Sequence, residues 1–562
     1  MEATVIPLSW SEGYDIHDDK RFETDARTLR YQALGKACKA NKVSSLLVAH
    51  HADDQAETVM MRIMNNRLRS GLQAMQSVEW IPECYGIYGV HHSGQRQGPD
   101  PYLDIPFPIE RGGIRILRPL LRIEKSRLIA TCEEQGVAWA EDKTNSIQTL
   151  TARNAIRHVI KNHKLPAVLN VKSLVDISLN MQKRVESHKA HAEKLFDQCP
   201  IKMDIQTGCL LVRFPPFASL LNRLIKSASD MNEAKNNAYF LVERVAELVT
   251  PKPKAPLSQL AGTIENIYPE FRDPEDELAH YNEARMKNYS VYSVWWRLWD
   301  KESPFEDQYL GDNLNGSSSK SREWLLTRQP LDTEEKRNLA NQIVYPPAQT
   351  VSSTSVSKPT WQFFDGRYWI RLQNYSQDTL IMRIFSKEDL RHLPSPQKPD
   401  MTKSPLNGLL PERFITATFN LLKPSDVRFT LPAVFRKDST TGEETLVGFP
   451  TLNVGMGSPG APQRVCDWNV RYKKIDFGRR SADDIIVPGT SKMNIVTAER
   501  RQRGGHKVIK RHNVVIDEPN DPVPGYRRVS GDKDTIAERD KWWHKQQQQI
   551  RQDMKDDEVE GL

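Results

Sequence analysis

The chain has 562 residues; at roughly 100–200 residues per folded unit, that length predicts three or four domains and excludes a single small module. Hydrophobic residues make up 38% and charged residues 27%, with 12 Trp, 17 Phe and 16 Tyr to anchor cores, a balance that predicts globular parts joined by solvated linkers. The formal net charge of +7 is too small to imply a nucleic-acid partner, so the clustering of basic residues matters more than their sum. Six scattered cysteines form no C-x-x-C pair, which argues against a cysteine-bound metal and for a reducing compartment. The start MEATVIPLSW reads neither as a signal peptide nor as an Arg-rich transit peptide. No stretch reaches the ~20 apolar residues needed to cross a bilayer, so no membrane partner is expected.

In chain order, Thr4 to Trp10 reads as a short strand before an acidic loop. A helix is expected from Thr24, capped by Thr24 and Asp25, with Leu29, Ala33 and Ala37 at helical spacing up to about Asn41. The apolar run Leu46–Ala49 is too short for a helix and fits a parallel strand buried on both faces. A helix follows in which Ala56, Val59, Met60, Ile63 and Met64 form one stripe expected to pack on the sheet. Residues 76–113 carry the Gly and Pro punctuation SGQRQGPDP and read as a variable excursion before a strand at Ile114–Leu117. Further helices are expected over Ile123–Gln135, burying Leu128, Ile129 and Cys132 and closing on Gly136, and over Ala152–Asn162. This strand, polar turn and helix alternation is a βα crossover pattern.

Leu174, Ile177, Met181, Val185, Ala192 and Leu195 define a long helix that opens a mostly helical unit over 166–310, with an amphipathic helix at 233–250 and a core around Trp295, Trp296 and Trp299. Segments 313–321, 346–359 and 393–405 read as linkers, so 311–360 is linker-rich. Over 361–465 the signals turn to strands: Asp365-Gly366 between aromatic runs is a hairpin cue, and LPAVF at 431–435 pairs plausibly with TLVGFPTL at 445–452. Arg471 to Arg511 holds twelve Lys or Arg and four Asp or Glu, so 466–562 reads as a basic arm followed by a charged tail.

Two constellations carry chemistry. In His50-His51-Ala52-Asp53-Asp54-Gln55-Ala56-Glu57, adjacent carboxylates sit at the carboxyl end of a strand, where open α/β sheets place ligands. Asp53 and Asp54 suit a Mg²⁺ ion shared with phosphate oxygens; equally, they suit a helix cap. Arg118 after a strand, then Asp142, Asn145, Arg153, Asn154 and Arg157, supply guanidinium forks for phosphate and amide or carboxylate groups for a base edge or an ammonium. The alternative for these is an Asn/Asp-rich turn and a solvated helix face.

Together and in order, FETDARTLRYQAL at 22–34, LLVAHHADDQAETVMMRI at 46–63, GLQAM at 71–75, RPLLRIEKSRL at 118–128 and WAEDKTNSIQTLTARNAIR at 139–157 resemble the tRNA(Ile)-lysidine synthetase family of PP-loop ATP pyrophosphatases. The resemblance covers about residues 5–165. It implies an α/β fold, a Rossmann-like PP-loop domain over 1–165 with 76–113 as an insert; the residue patterns place the helical region and a small α+β or β C-terminal domain after it. It also implies ATP as cofactor with Mg²⁺, adenylation of the C2 oxygen of the wobble cytidine of tRNA(Ile), and displacement of AMP by free L-lysine. Catalytic roles are then carried over to Asp53, Asp54 and Asp142, and nucleotide or substrate contacts to His50, His51, Glu57, Arg118, Asn145, Arg153, Asn154 and Arg157.

The family's Ser-Gly-Gly-x-Asp-Ser phosphate loop does not occur here, and MEATVIPLSW aligns by context with the family's third strand. On that reading the first strands are missing, Leu46–Ala49 exposes an unpaired edge, and the chain as written is expected to be inactive or unfolded in this region. Asn65 to Ser70 also stands where relatives carry an Arg-Gly-Ser-Gly turn. Arg500, Arg501 and Arg503 are candidate tRNA contacts. The rival readings are a PP-loop tRNA thiolase, disfavoured by the absence of cysteine pairs, and an inactive RNA-binding scaffold. The resemblance suggests the mitochondrion as compartment, with the cytoplasm as the alternative.

Overall fold

The structure, a computed structural model, describes residues 4–10, 19–97, 105–140, 152–253, 257–272, 287–299, 303, 305, 323–338, 341–348, 359–393, 425–455 and 465–487. Near the N-terminus, helix α1 (Asp19–Ala40) leads into strand β1 (Ser45–Leu47), which runs through His50 and His51 into helix α2 (Ala52–Met64). Strand β1 pairs in parallel with β5 (Arg115–Leu117), setting Leu46 opposite Ile116, while β2 (Val78–Trp80) pairs antiparallel on the far side of β5. A parallel pair needs a long crossover, and α2 lies on it. Tyr31, Cys38, Ile81, Val90, Ile114 and Ile116 bury the core beneath this sheet. Helices α3 (Lys125–Glu134) and α4 (Ala152–Asn162) follow; Gly136, at φ +62, closes α3 in the left-handed region as its sequence implies.

Several expectations change here. Residues 4–10 are described without strand structure; no neighbouring strand among the described residues supplies a ladder, and Trp10 instead stacks on Phe22 at 5.3 Å. Strand β1 is not buried on both faces: it lies at the edge of the β1-β5-β2 sheet, and Leu47 is 69% exposed. The α2 stripe divides, with Ala56 and Val59 packing with Leu174 rather than on the sheet, while Met64 is exposed. Leu128, Ile129 and Cys132 are only half-buried, and α3 contributes no buried residue.

Helix α5 (Val171–Gln198) begins at Asn170, whose side chain accepts from the Ser173 N–H at 2.7 Å. With α6 (Ala228–Ala246) and α7 (Ala261–Ile267) it covers an antiparallel sheet ordered β6-β7-β10-β9-β8: β6 (Ile201–Asp204), β7 (Cys209–Arg213), β8 (Asn288–Val291), β9 (Val294–Leu298) and β10 (Glu323–Arg328). The region expected to be mostly helical is therefore a mixed layer, and β10 carries the sheet into the stretch expected as linker. Trp296 and Trp324 are fully buried in it. Of the other expected linkers, 313–321, 349–358 and 394–405 lie outside the described residues.

Two further sheets form the C-terminal part. One is ordered β11-β14-β15-β16-β17, from β11 (Ile343–Tyr345), β14 (Thr379–Ile384), β15 (Pro432–Lys437), β16 (Glu444–Phe449) and β17 (Val454–Gly455); it contains the expected LPAVF and TLVGF pair. The other is ordered β12-β13-β18-β4-β3, from β12 (Gln362–Phe364), β13 (Tyr368–Asn374), β18 (Cys466–Tyr472), β4 (Ile109–Gly112) and β3 (Gly94–Gln97). The β12–β13 turn holds Asp365 at φ +46 and Gly366 at φ +57, the primed geometry its sequence signals. A Cβ on Gly366 would lie 1.7 Å from the Pro251 carbonyl oxygen, so the turn also seats the sheet against the helical layer.

This last sheet corrects two readings. The 76–113 excursion supplies β3 and β4 to it, with Ile109 fully buried. The start of the expected basic arm is folded: Tyr472, Ile475, Phe477, Ile485 and Ile486 are buried. Apolar residues too irregularly spaced for one helix or strand nevertheless fill a core shared by distant segments.

Candidate active site

The strand-to-helix turn after β1 positions the acidic doublet. His51 is the N-cap of α2, and its backbone N–H donates to Asp54 Oδ2 at 3.0 Å. The Lys125 N–H, at the start of α3, donates to Asp53 Oδ2 at 2.7 Å. One oxygen of each carboxylate thus closes a helix N-terminus, so the capping alternative describes real bonds. The His51 ring lies between the two acids, with Nδ1 3.5 Å from Asp53 Oδ2 and Nε2 3.5 Å from Asp54 Oδ2. The neighbouring carboxylates, Asp53 first, raise the His51 pKa against the opposing effect of burial. Burial pushes the Asp53 carboxyl up, but His51 and the Lys125 N–H outweigh it and hold its pKa below the ordinary value.

The guanidinium groups divide between two acids. Arg157 grips Glu57 through both nitrogens, Nε to Oε1 at 2.8 Å and a terminal nitrogen to Oε2 at 2.9 Å, and Arg153 Nε stands 3.6 Å from Glu57 Oε2. Glu57 is buried while both arginine side chains are about one-third exposed, so α4 is fixed to α2 at the carboxylate end of the pairs. Burial raises the Glu57 pKa although Arg157 pulls the other way. Arg118 is buried, donating to the Gln76 carbonyl at 2.8 Å, to Glu79 at 2.5 Å and to His50 Nδ1 at 3.3 Å. Burial lowers the His50 pKa, opposed by Asp54 and reinforced by Arg118.

Of the residues singled out in the sequence, eight fall into three sets of contacts: His51 with Asp53 and Asp54, Glu57 with Arg153 and Arg157, and His50 with Arg118. Asn154 is buried on α4. Asp142, Asn145, Arg500, Arg501 and Arg503 lie outside the described residues. Sequence reading missed the supporting partners: the Gln76 carbonyl and the Lys125 N–H are backbone groups that leave no residue signature, and Glu79 is a strand carboxylate 39 residues before the arginine it holds. Among the described residues, no group of three or more His, Cys, Asp or Glu could hold a metal. The Asp53–Asp54 pair still fits Mg²⁺, which takes one or two carboxylates and completes its shell with water and phosphate oxygens.

The PP-loop domain family matches residues 2–164. A Schizosaccharomyces pombe protein named "Probable tRNA(Ile)-lysidine synthase" is 33% identical over 459 residues, 81% of this chain and 78% of that protein. Proteins named tRNA(Ile)-lysidine synthase from Bradyrhizobium and Mycoplasma pneumoniae are 33% and 29% identical over 120 and 143 residues. Those two matches span 21% and 25% of this chain, and 25% and 38% of the bacterial proteins. Similarity to the yeast protein therefore runs well past the region that carries the motifs.

Proposed function

The chain belongs to the tRNA(Ile)-lysidine synthase family, and on that premise we propose that it ligates L-lysine to C2 of the wobble cytidine of tRNA(Ile) at the expense of ATP. The C2 oxygen attacks the α-phosphorus of ATP and pyrophosphate leaves; a lysine amine then attacks C2, expels AMP and gives up a proton. Adenylation converts a poor leaving oxygen into AMP, and holding both partners replaces a difficult encounter with a positioned one.

The observation that carries this reading is the acidic doublet at the carboxyl end of β1, cross-braced by His51 and anchored on two helix starts. Asp53 and Asp54 would hold Mg²⁺, which would supply neutralisation of phosphate charge. Arg153 and Arg157 present exposed edges beside the doublet while Glu57 fixes their inner ends, so they would orient phosphates without having to be ordered first. Arg118, spent on Glu79 and the Gln76 carbonyl, would act as a positioning residue for His50. Asp142 keeps the catalytic role, and Asn145 the substrate contact, that the family resemblance implies. The mitochondrion is proposed as compartment on the family resemblance alone; imaging of the tagged natural protein only in the cytoplasm would refute it.

The test is incorporation of labelled lysine into tRNA(Ile) with AMP and pyrophosphate release. Activity is expected to fall about 100-fold or more in Asp53→Ala and Asp54→Ala. Full activity in both variants would remove the doublet from the mechanism.

A further inference from the structure

Gln55 follows the acidic doublet directly in the first turn of α2 and is buried, as is Ser178 on α5. A buried amide must find its partners inside the protein, because one left unpaired is costly. Gln55 finds three. Its Nε2 donates to the Met75 carbonyl at 3.0 Å and to Ser178 Oγ at 2.8 Å, and its Oε1 accepts from the Met75 N–H at 3.1 Å. Ser178 Oγ donates in turn to the Gln73 carbonyl at 2.7 Å. Gln182 Nε2, one turn further along α5, donates to the Gln73 and Met75 carbonyls at 2.7 and 3.0 Å.

These bonds grip the backbone on both sides of Ala74, which has φ +50 and ψ −129. That is the conformation of the first central residue of a type II′ turn, where glycine leads because a Cβ is crowded. An alanine persists there only where its surroundings over-determine it. Here they do: three side chains from two helices fix its neighbours, and Ala74 itself packs against the cluster of Ala56, Val59 and Leu174.

The same segment reaches the site from its other end. The Gln76 carbonyl accepts from the Arg118 guanidinium and the Ser77 carbonyl from the Arg118 N–H, both at 2.8 Å, and Arg118 Nε donates to His50 Nδ1. Residues 73–77 therefore bridge α5 to both flanks of the doublet, through Gln55 to the start of α2 and through Arg118 to His50. Helix α5 is a firm anchor, since Val185, Ala192, Leu195 and Phe196 further along it are buried in the core of the mixed layer.

We infer that Gln55 is a positioning residue for the ligation: by holding the Ala74 turn in its strained form and tying it to α5, it fixes where Asp53, Asp54 and His50 stand. It acts through Met75 and Ser178 rather than on a substrate. Filling the core would need only its volume, whereas three bonds converging on a strained turn fix a geometry. The inference rests on the reading of the doublet as the phosphate-binding centre, where a misplacement of about 1 Å can cost about 100-fold in rate.

The test is steady-state lysine incorporation by the full chain, with a urea midpoint measured for each variant so that assays run on folded protein. Gln55→Leu, similar in volume but without the amide, should lower kcat about tenfold or more and leave the KM for ATP and for lysine within about twofold. Glycine adopts the turn without being forced, so Ala74→Gly added to Gln55→Leu should restore most of the lost kcat. Wild-type kcat in Gln55→Leu, or a loss that Ala74→Gly leaves unrepaired, would reduce Gln55 to core filling and overturn the inference. Should Gln55→Leu not fold, Ser178→Ala removes one of its partners and should lower kcat about threefold at unchanged KM; wild-type kcat there would overturn it equally. Hydrogen exchange tests the clamp apart from the chemistry: the Met75 amide should exchange about tenfold faster or more in Gln55→Leu, and unchanged exchange would refute the clamp whatever the activity. Faster exchange in a chain whose wild type incorporates no lysine would instead overturn the ligase reading, and the positioning role with it.

Discussion

The site around α2, where Arg153 and Arg157 hold Glu57 beside the acidic doublet, and the β12–β13 turn both pair carboxylates with arginines, but they use the pairs differently. At the turn, Asp365 accepts from Arg328 and Arg367, both buried, and Arg367 also reaches the Thr207 and Thr430 carbonyls. At the doublet, the arginines keep an exposed edge and the carboxylates are braced by backbone N–H groups and a histidine. Wholly enclosed ion pairs tie segments of a fold together, and breaking one strands a charge. Half-exposed, pre-positioned charges leave room for an incoming anion or cation.

That contrast can be broken most severely at the turn. Asp365→Ala should destabilise the protein by about 3–5 kcal/mol by stranding Arg328 and Arg367, read as a lower urea midpoint. A smaller stability effect with a larger functional one is expected at the doublet. Asp54→Asn keeps an oxygen for the His51 N–H, so stability should stay within about 0.5 kcal/mol, where Asp54→Ala would cost about 0.5–2 kcal/mol as a lost cap. Lysine incorporation should nonetheless fall about 100-fold in both. If Asp54→Asn retains full activity, the doublet is only a cap.

Glu57→Gln sits between the two classes. It should cost about 1.5–3 kcal/mol by loosening charge-assisted bonds to Arg157, and raise the KM for ATP more than it lowers kcat. A pH-dependent effect is expected at Lys473, whose pKa burial lowers to about 7 while Glu247 opposes the change. Between about pH 7 and 10 the unfolded chain binds the extra proton, so this group makes stability rise with pH over that window. Lys473→Met should be the more stable protein at pH 7, with the gap to wild type closing toward pH 10 in paired urea titrations.

The sequence carried local signals well. The hairpin at Asp365-Gly366, the β15–β16 pair, the C-terminal glycine of α3 and the turn that gathers His50 to Glu57 all follow from neighbours within a few residues. The family resemblance, read from strings between 22 and 157, agrees with the relatives found by comparison. What was not legible depends on distant partners. Nothing in SGQRQGPDP announces that its first residues form a strand in one sheet with residues near 370 and 470, and nothing in the lysine-rich stretch after Arg471 distinguishes a solvated arm from a strand and loop buried under aromatic rings. Likewise, Arg118 reads as a phosphate grip until Glu79 and Gln76 are seen to occupy it.

The sheet that joins β3 and β4 to β12, β13 and β18 draws on residues 94–97, 109–112, 362–374 and 466–472. During synthesis its early strands leave the ribosome with more than 350 residues still to come between β4 and β18, so the sheet cannot close until the chain is nearly finished. Such non-local pairing is slow and keeps open edges available to other chains. A nascent-chain release anywhere before residue 466 would free a protein with its first-made strands unsealed, and its fate in the cell would be set by holding chaperones as much as by its own stability.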